Sequence, residues 1–561
     1  MSAGRPGCAG RPRQRVANRV LGLTPLLWLP QAGLLAWAVQ RLSLGEGFGS
    51  VLLPAVGILL LGALRAACEA WATQRVFASA RAQLAALRAQ VAMSLSARSP
   101  MDPARPASGF AASVIAEQAE AIVPYLVRYQ PARWRATVVP LVILPVVASL
   151  SWVAALVLLF CAPLIPLFMA LVGWRARAAS EAQMVEMGRM NAFLLDRLRG
   201  LATVRALGAV DATARRVFDA SQSLRVRTMA VLRIAFLSSA VLELFAALGV
   251  AMVAVYVGFH LLGVIGFGAW ERQLSLGEGL FILLLAPAFF EPLRELSAVW
   301  HDRAAGEAAL ASLDGIAEEG VALPGAQAGC LPAAPVEGHR AANPPALRIH
   351  GLHFAHPGEE ALFDAFDLRV AAGEHVALTG PSGAGKTVLL SLIAGLLSAG
   401  RGEIAIGDTL LCDKTVSALR TRIGWMAQKP HVFAGSVHAN VTLGRADVRN
   451  AQVAAAMRLA DLHSVAQAGQ GVALGEGGVG LSGGEAARLA LARLALHADA
   501  DLLLVDEPTA HLDTETARRV ADALLELARG KTLIVATHDR VLAARLGRVI
   551  HIDAMPLKAA A

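Results

Sequence analysis

The sequence predicts a helical domain with six membrane spans, followed by an α/β domain that contains a phosphate-binding loop. Three observations support this prediction. Hydrophobic residues make up 56% of the chain and charged residues 17%, against about 45–50% and about 25% in soluble domains. Long apolar runs fill the first half, and short β-like runs alternate with helical stretches beyond residue 347. A wholly soluble enzyme and a disordered chain both fit this pattern poorly.

Each of the six apolar runs has the length that a helix needs to cross the hydrocarbon core of a bilayer, about 20 residues. The first run is too long for a removable signal peptide, so we expect it to remain as a membrane helix. The predicted spans are residues 20–40, 50–71, 135–151, 153–173, 234–258 and 276–297.

The arginines between the spans predict the orientation of the chain. Residues 1–20 hold five arginines and no acid, and the loop 174–233 holds eleven arginines against five acids. The loops 41–49 and 259–275 hold one arginine each. Because positive charge is retained on the cytoplasmic side, the N-terminus and the region after the sixth span are predicted to be cytoplasmic.

The long inner loops and the overall charge complete this picture. Both inner loops keep a helical period, which predicts membrane helices that continue into the cytoplasm. The net charge is +8, and the arginines bracket apolar runs, which favours a membrane surface as partner over nucleic acid. The five cysteines are widely spaced without a C-x-x-C pair, so neither a zinc site nor a local disulfide framework is indicated.

A phosphate-binding loop is the strongest motif of the second half. Residues 380–387 fit the pattern G-x-x-x-x-G-K-[ST], directly after a predicted strand and before an apolar helix, 388–397. Backbone N–H groups of such a loop surround phosphate oxygens, the lysine reaches the β- and γ-phosphates, and the threonine hydroxyl ligates Mg²⁺. The predicted ATP-binding residues are Gly380, Pro381, Ser382, Gly383, Ala384, Gly385, Lys386 and Thr387.

A second acidic motif follows about 120 residues later. The apolar run 502–505 ends in Asp506 and Glu507. At a strand end Asp506 is predicted to lie beside the Mg²⁺ of the nucleotide, and Glu507 to polarise the water that attacks the γ-phosphate. The two motifs together predict an ATPase.

Further motifs resemble those of ATP-binding cassette (ABC) proteins. The signature of that family is similar to residues 481–485, and Gln428, His538 and Asp513 stand where the family has its Q-loop, switch histidine and D-loop. The resemblance implies that Gln428 joins Thr387 and Asp506 at the Mg²⁺, and that His538 assists hydrolysis. It also implies that the signature residues bind the nucleotide of a second cassette: Ser482, Gly483, Gly484 and Glu485.

Two residues depart from the pattern of this family. Glu485 stands where the signature usually ends in glutamine, a change that could weaken polar contacts near the ribose. His356 stands where an aromatic residue usually stacks on adenine, and imidazole stacks less extensively than tyrosine. His356 is predicted either to contact adenine or to be a simple surface histidine.

The membrane half is similar to the CydD subunits of heterodimeric CydDC exporters. The segments that resemble this family are residues 162–173, 193–200, 227–239 and 285–295. The resemblance implies a type IV exporter fold in the bacterial inner membrane, a CydC-like partner subunit, and ATP-driven export of cysteine or glutathione in support of cytochrome bd assembly. Haem, as cargo or bound cofactor, is the alternative that this family also implies.

The domains follow from these motifs. We expect four segments: a basic cytoplasmic N-terminus over 1–19, a transmembrane domain over 20–318, a Pro/Gly/Ala-rich linker over 319–346, and an ABC ATP-binding domain over 347–561.

The few charged residues within the spans are candidates for the cargo pathway, because charge inside a membrane is costly. Two pairs, Arg65 with Glu69 and Glu291 with Arg294, are predicted to pair locally or with a neighbouring helix. Glu243 is therefore the better pathway candidate.

Two histidines at the span ends, His260 and His301, are expected to be interfacial or solvated and not haem ligands. An acidic residue such as Glu243 alone would repel an anionic thiol. The residues therefore leave the cargo open between cysteine, glutathione and haem.

Three other interpretations remain open. The chain could be a membrane-bound regulatory or sensing module that uses ATP without moving cargo. A soluble ABC ATPase that acts on ribosomes or DNA would share the cassette, but it usually carries two cassettes and no spans. An exporter of lipids or peptides would share both domains.

Overall fold

A computed structural model of the chain forms two units. One comprises Met1–Gln90 and Ser108–Gly315, and the other Val91–Ala107 and Ile316–Ala561. The described residues are 12–106, 108–165, 200–270, 273–318, 320–326, 343–356, 358–445, 448–462, 474 and 481–553, with scattered positions between 168 and 198.

The first unit is helical throughout its described part. Short 3₁₀ turns lie at Thr24–Leu27 and Gln118–Ala121, and a π-helical turn at Tyr125–Tyr129 leads into the sixth helix. The helices are α1 (Pro12–Leu23), α2 (Trp28–Ser43), α3 (Gly49–Ser96), α4 (Ser108–Ala116), α5 (Ile122–Pro124), α6 (Gln130–Leu150), α7 (Trp152–Cys161), α8 (Leu201–Ala206), α9 (Val210–Leu261), α10 (Leu276–Ala298) and α11 (Trp300–Glu318).

Five helical segments of the described chain are long and apolar enough to cross a membrane. They overlap five of the six predicted spans; the segment at the predicted fifth span is Glu243–Leu261, which starts later than the predicted residue 234. The predicted fourth span begins as α7, a ten-residue helix, and most of its remainder lies outside the described residues. Helices α3 and α9, with 48 and 52 residues, extend well beyond a bilayer thickness. The predicted continuation of the membrane helices past the spans is therefore confirmed for both.

The first unit packs around α10. Phe289 and Phe290 of this helix are 2% and 1% exposed, and their rings meet edge to face at 5.1 Å. A Cβ atom at Gly249 of α9 would lie 2.5 Å from the Phe290 ring. Glycine at this position therefore allows α9 and α10 to approach each other closely.

The charged residues of the spans form ion pairs of two kinds, one local and one between helices. Glu291 and Arg294 form the predicted local pair, with a shortest N···O distance of 3.4 Å. Glu69 pairs with Arg135 of the neighbouring helix α6 at 3.5 Å, which is the second of the two arrangements expected.

The two histidines differ in exposure. His301 is exposed, as expected for a solvated histidine, but His260 is not solvated. His260 is 1% exposed. Its Nε2 atom accepts the backbone N–H of Leu274 at 3.2 Å, because the chain after α9 folds back over the end of that helix.

The second unit contains two sheets. An antiparallel sheet has the order β2-β1-β4-β5 and a parallel sheet the order β6-β7-β8-β3-β9. The strands are β1 (Leu347–Ala355), β2 (Ala361–Val370), β3 (His375–Thr379), β4 (Arg401–Ile406), β5 (Thr409–Leu410), β6 (Ile423–Met426), β7 (Leu502–Asp506), β8 (Thr532–Ala536) and β9 (Arg548–His551).

Helices cover the parallel sheet on both faces, as its sequence requires. Strands β7 and β8 are buried at every residue and consist almost entirely of aliphatic side chains, the pattern of a parallel strand covered on both sides. Leu503 and Val505 enter one apolar core, whereas Leu502 and Leu504 enter the other. The helices of this unit are α12 (Lys386–Ile393), α13 (Val416–Arg420), α14 (Val437–Thr442), α15 (Asn450–Leu459), α16 (Gly483–Ala495), α17 (Thr514–Leu527) and α18 (Arg540–Ala544).

Residues 91–107, which include the end of α3, belong to the second unit. Ser99 donates its hydroxyl to the carbonyl of Leu396 at 2.5 Å and its N–H to the carbonyl of Val321 at 2.9 Å. The carboxylate of Asp102, a residue only 6% exposed, accepts the N–H groups of Val321 and Ala104, each at 2.9 Å. The start of the predicted linker is therefore held in place, while residues 327–342 lie outside the described part.

Asp102→Ala tests this attachment. The substitution leaves two backbone N–H groups without their acceptor, which costs about 1–3 kcal/mol for a buried group. We expect faster hydrogen exchange at the amides of Val321 and Ala104, measured by mass spectrometry on the full chain. Asp408→Ala, at an exposed aspartate of the same unit, serves as the matched control and should leave both amides unchanged. Unaltered exchange in Asp102→Ala would contradict the attachment.

Candidate nucleotide-binding site

The phosphate-binding loop lies between β3 and α12, as predicted, although α12 covers 386–393 and not 388–397. Two of its glycines are required by geometry. Gly380 has φ +151° and a Cβ atom there would collide with the carbonyl oxygen of Ile552. Gly385 has φ +87°, and a Cβ atom would lie 2.8 Å from Leu362. Both positions favour glycine because other residues adopt such conformations only with strain.

Lys386 is buried in the loop that it completes. Its ammonium group donates to the carbonyl oxygens of Gly380 at 2.9 Å and Pro381 at 3.0 Å. Its Nζ atom also lies 3.0 Å from Nε2 of His538. These two carbonyl oxygens thus hold the ammonium group at the entrance of the loop. Phosphate oxygens can replace them as hydrogen-bond acceptors.

Thr387 and Asp506 form an adjacent pair of oxygen donors. The hydroxyl of Thr387 donates to Asp506 Oδ2 at 2.8 Å. Burial raises the pKa of Asp506, whereas the hydrogen bond from Thr387 and the charge of Lys386 oppose that rise. Hydroxyl and carboxylate oxygens are the ligands that Mg²⁺ prefers, so this pair fits the predicted magnesium site.

Glu507 and His538 meet beside this pair. Glu507 is a non-glycine residue with φ +47°, a conformation that is common at functional sites. One carboxylate oxygen accepts the backbone N–H of His538 at 3.2 Å, and the other lies 3.5 Å from His538 Nε2. The second oxygen makes no hydrogen bond within the described chain. It is therefore free to accept a proton or a hydrogen bond from a water molecule.

Gln428 and His356 lie near the sheets but outside this cluster. Gln428 follows β6, which pairs with β7 in the register Met426 to Val505, so it leaves the sheet at the edge where Asp506 lies. Its side chain is exposed. The ring of His356, one residue after β1, packs edge-on against Phe354 with centroids 5.1 Å apart. The predicted roles of both residues remain predictions.

The signature residues open α16. The hydroxyl of Ser482 accepts the N–H of Glu485 at 3.3 Å, and the carboxylate of Glu485 accepts the N–H of Ser482 at 2.6 Å. This reciprocal pair is a capping box, in which glutamate and glutamine are equally suitable. Glu485 therefore has a local role that the sequence comparison with the signature pattern did not reveal.

The D-loop residue Asp513 caps the next helix. Its side chain accepts the N–H of Thr516 at 3.0 Å at the start of α17, and the hydrogen bonds from Thr516 hold the pKa of Asp513 below its ordinary value. A Cβ atom at Gly484 would lie 2.7 Å from Thr516. Glycine in the signature thus allows α16 to pack closely on α17.

The structure brings together Lys386, Thr387, Asp506, Glu507 and His538, which the sequence predicted as separate motifs. The arrangement offers a cation and N–H groups for phosphate oxygens, two oxygens for a divalent cation, and a carboxylate for a water molecule. No hydrogen bond joins Ser482 to the phosphate-binding loop in the described part of the chain.

Two contacts of the charged groups were not foreseen, one made by Lys386 and one by Arg135. The contact between Lys386 and His538 has no sequence signal, because 152 residues separate the two. The predicted pathway residue Glu243 lies on α9 with an exposed side chain. Arg135, which opened the predicted third span, bridges two carboxylates of the first unit, and only its position at the start of an apolar run could have indicated it.

Family models of ABC transporters match both halves of the chain. The model of the ABC transporter matches residues 363–510, which include the phosphate-binding loop and the signature. The model of the ABC transporter transmembrane region matches residues 134–293.

Several curated proteins are similar over nearly the whole chain. The chain is 34% identical over 527 residues to the glutathione/L-cysteine transport system ATP-binding/permease protein CydD of Escherichia coli. This alignment covers 93% of this chain and 88% of that protein. The CydD protein of Haemophilus influenzae is also 34% identical, over 526 residues with the same coverage. The CydC protein of Bacillus subtilis is 28% identical over 534 residues, covering 93% of this chain and 90% of that protein.

The fold resembles that of a solved transporter. The structure of a bacterial Atm1-family ABC exporter with ATP bound matches with a TM-score of 0.73 and covers 96% of this chain and 93% of that chain. The sequence identity is 21%, so this likeness shows the fold alone. The predicted fold class, a helical exporter domain followed by an α/β ABC domain, is confirmed.

Proposed function

The chain belongs to the CydD family of ABC transporters, and from this membership we propose that it exports cysteine or glutathione as one half of a heterodimer. It is a multi-pass membrane protein with an ABC ATPase domain. The similarity over 93% of the chain to proteins named for glutathione and L-cysteine transport is the observation that supports this cargo. Export to the periplasm would support cytochrome bd assembly.

ATP is proposed to bind at the loop 380–387, with Lys386 at the β- and γ-phosphates. Thr387 and Asp506 would hold Mg²⁺, with Gln428 as a further ligand. When bound, Mg²⁺ supplies charge neutralisation for the phosphates. Glu507 would orient and polarise the attacking water, and His538, which contacts both Glu507 and Lys386, would respond to the γ-phosphate. His356 would contact the adenine.

A CydC-like subunit is the proposed partner. A Ser-Gly-Gly turn at a helix N-terminus is an anion site, and Ser482, Gly483 and Gly484 open the thirteen-residue helix α16. These residues, with Glu485 and the D-loop residue Asp513, are proposed to face the nucleotide of the partner's cassette. ATP would then hold two cassettes together, and hydrolysis would release them.

The location and orientation follow from the same proposal. The complex would lie in the bacterial inner membrane, with the N-terminus and the ATP-binding domain in the cytoplasm. The arginine-rich inner loops support this orientation, since positive charge is retained on that side. Membrane lipid surrounds the spans, and haem is retained as an alternative cargo or cofactor to be tested.

Stimulation of ATP hydrolysis tests the cargo. We expect cysteine or glutathione to raise the ATPase rate of the heterodimer in lipid nanodiscs several-fold, because an exporter couples hydrolysis to cargo binding. Lys386→Ala provides the blank, and Lys414→Ala, at an exposed lysine of the same domain, is the matched control. Stimulation by haemin alone would move the cargo to haem, and no stimulation by any of the three would favour a regulatory module.

Glu507→Gln tests the proposed hydrolytic carboxylate. The substitution keeps the shape and hydrogen bonds of the side chain but removes the base, so we expect about a 10²-fold or greater loss of turnover at this site. Binding of a fluorescent ATP analogue should be retained. The measurement requires a partner subunit whose own hydrolytic carboxylate has been disabled. An unchanged ATPase rate in that complex would rule out Glu507 as the base.

A further inference from the structure

In the first unit, Glu69 belongs to an ion cluster around Arg135 and does not pair with Arg65. The guanidinium group of Arg135 contacts Glu69 of α3 at 3.5 Å and Glu295 of α10 at 3.2 Å, and its Nε atom donates to the carbonyl of Leu21 at 3.0 Å. The side chain of Arg135 is only 15% exposed. Four helices therefore meet at this arginine. The carboxylate of Glu69, one turn from Arg65, is directed to α6 and not along its own helix.

Arg65 has no partner among the described residues: its guanidinium group makes neither an ion pair nor a hydrogen bond with any of them. The side chain is half-buried. An arginine in this situation differs from Arg294, Arg135 and Arg41, each of which has a carboxylate within 4 Å.

Arg65 lies within the membrane span. It is the seventeenth residue of α3, which begins at Gly49. At about 1.5 Å per residue, Arg65 lies about 24 Å along the helix, which falls inside a hydrocarbon core of about 30 Å when the predicted span 50–71 begins with the helix. Glu69, about 30 Å along, lies at the boundary. A lone arginine at this depth is costly and indicates a function.

The helical period places Arg65 on the inner face of α3. Ala72, two turns further along, is fully buried, as are Val76 and Ala80. One turn before Arg65, Gly62 approaches the side chain of Gln31, a buried amide of α2 that donates to the carbonyl of Ile58 at 3.1 Å. Arg65 thus lies on the face of α3 that contacts Gln31 of α2, and not on the lipid-facing side of the helix.

We propose that Arg65 binds a carboxylate group of the transported cargo. Guanidinium and carboxylate groups form charge-assisted, often bidentate hydrogen bonds, and this pairing would satisfy the unpartnered charge. Cysteine, glutathione and haem all carry free carboxylates, so the chemistry is shared by each proposed cargo. The inference rests on the proposed function, because it requires that such a cargo enters the membrane domain.

Esterified cargo tests this contact without any mutation. The heterodimer in lipid nanodiscs is titrated with cysteine, glutathione and haemin, and then with cysteine methyl ester, glutathione diethyl ester and haemin dimethyl ester. Loss of a charged hydrogen bond typically weakens binding about tenfold or more. We expect each stimulating acid to reach half-maximal ATPase stimulation at a concentration at least about tenfold lower than its ester.

Arg65→Gln should remove this difference between acid and ester, and Arg65→Lys should retain it. Arg41→Gln is the matched control, since Arg41 lies at the end of α2, where its guanidinium group contacts the exposed Glu46 and the ring of Trp37. This control should behave as the wild type. A residue with a merely structural role would change stimulation by acid and ester alike, which the paired titrations distinguish.

The outcomes separate the inference from the proposed function. If no acid stimulates the wild type, the proposed function fails and the inference fails with it. Equal potency of acid and ester in the wild type, or a difference that persists in Arg65→Gln, overturns the inference alone. If Arg65→Gln does not assemble, equal potency of acid and ester in the wild type still overturns the inference. The acid that stimulates identifies the source of the carboxylate.

Discussion

The candidate site depends on one edge of the five-stranded sheet, where parallel strands end side by side. β3 and β7 both pair with β8, so the loop after β3 and the acids after β7 reach the same edge. Burial of both strands between two apolar cores fixes their register. Thr387 and Asp506, 119 residues apart in sequence, therefore lie within 2.8 Å. The proposed phosphate cradle, magnesium ligands and hydrolytic carboxylate all lie at this edge because of that arrangement.

The lysine of the phosphate-binding loop makes its hydrogen bonds with groups of the protein itself. Lys386 is satisfied by two loop carbonyls and by His538, which is in turn beside Glu507. A γ-phosphate that draws Lys386 away would release His538 at the same time. Such an exchange would link phosphate binding to Glu507 and His538, the two residues proposed for hydrolysis, through contacts of 3.0 Å and 3.5 Å.

Local patterns predicted much of this molecule. The phosphate-binding loop, the strand that ends in Asp506 and the helix that follows Ser482 are each specified by consecutive residues, and their positions are as expected. Contacts between distant segments could not be predicted in this way. The capping role of Glu485, the burial of His260 under the chain that follows it, and the attachment of Asp102 to Val321 depend on tertiary packing. For Glu69, the sequence allowed either a partner on its own helix or one on a neighbouring helix. Helical periodicity alone does not show that α6, with Arg135, packs beside it.

The proposed function couples ATP hydrolysis to the movement of a small carboxylate-bearing thiol through the membrane domain. Its most direct test is ATP-dependent accumulation of radiolabelled cysteine or glutathione in inside-out membrane vesicles that contain the heterodimer. We predict accumulation that requires hydrolysable ATP and an intact Lys386. Vesicles that hydrolyse ATP at a normal rate yet accumulate neither thiol would contradict this function.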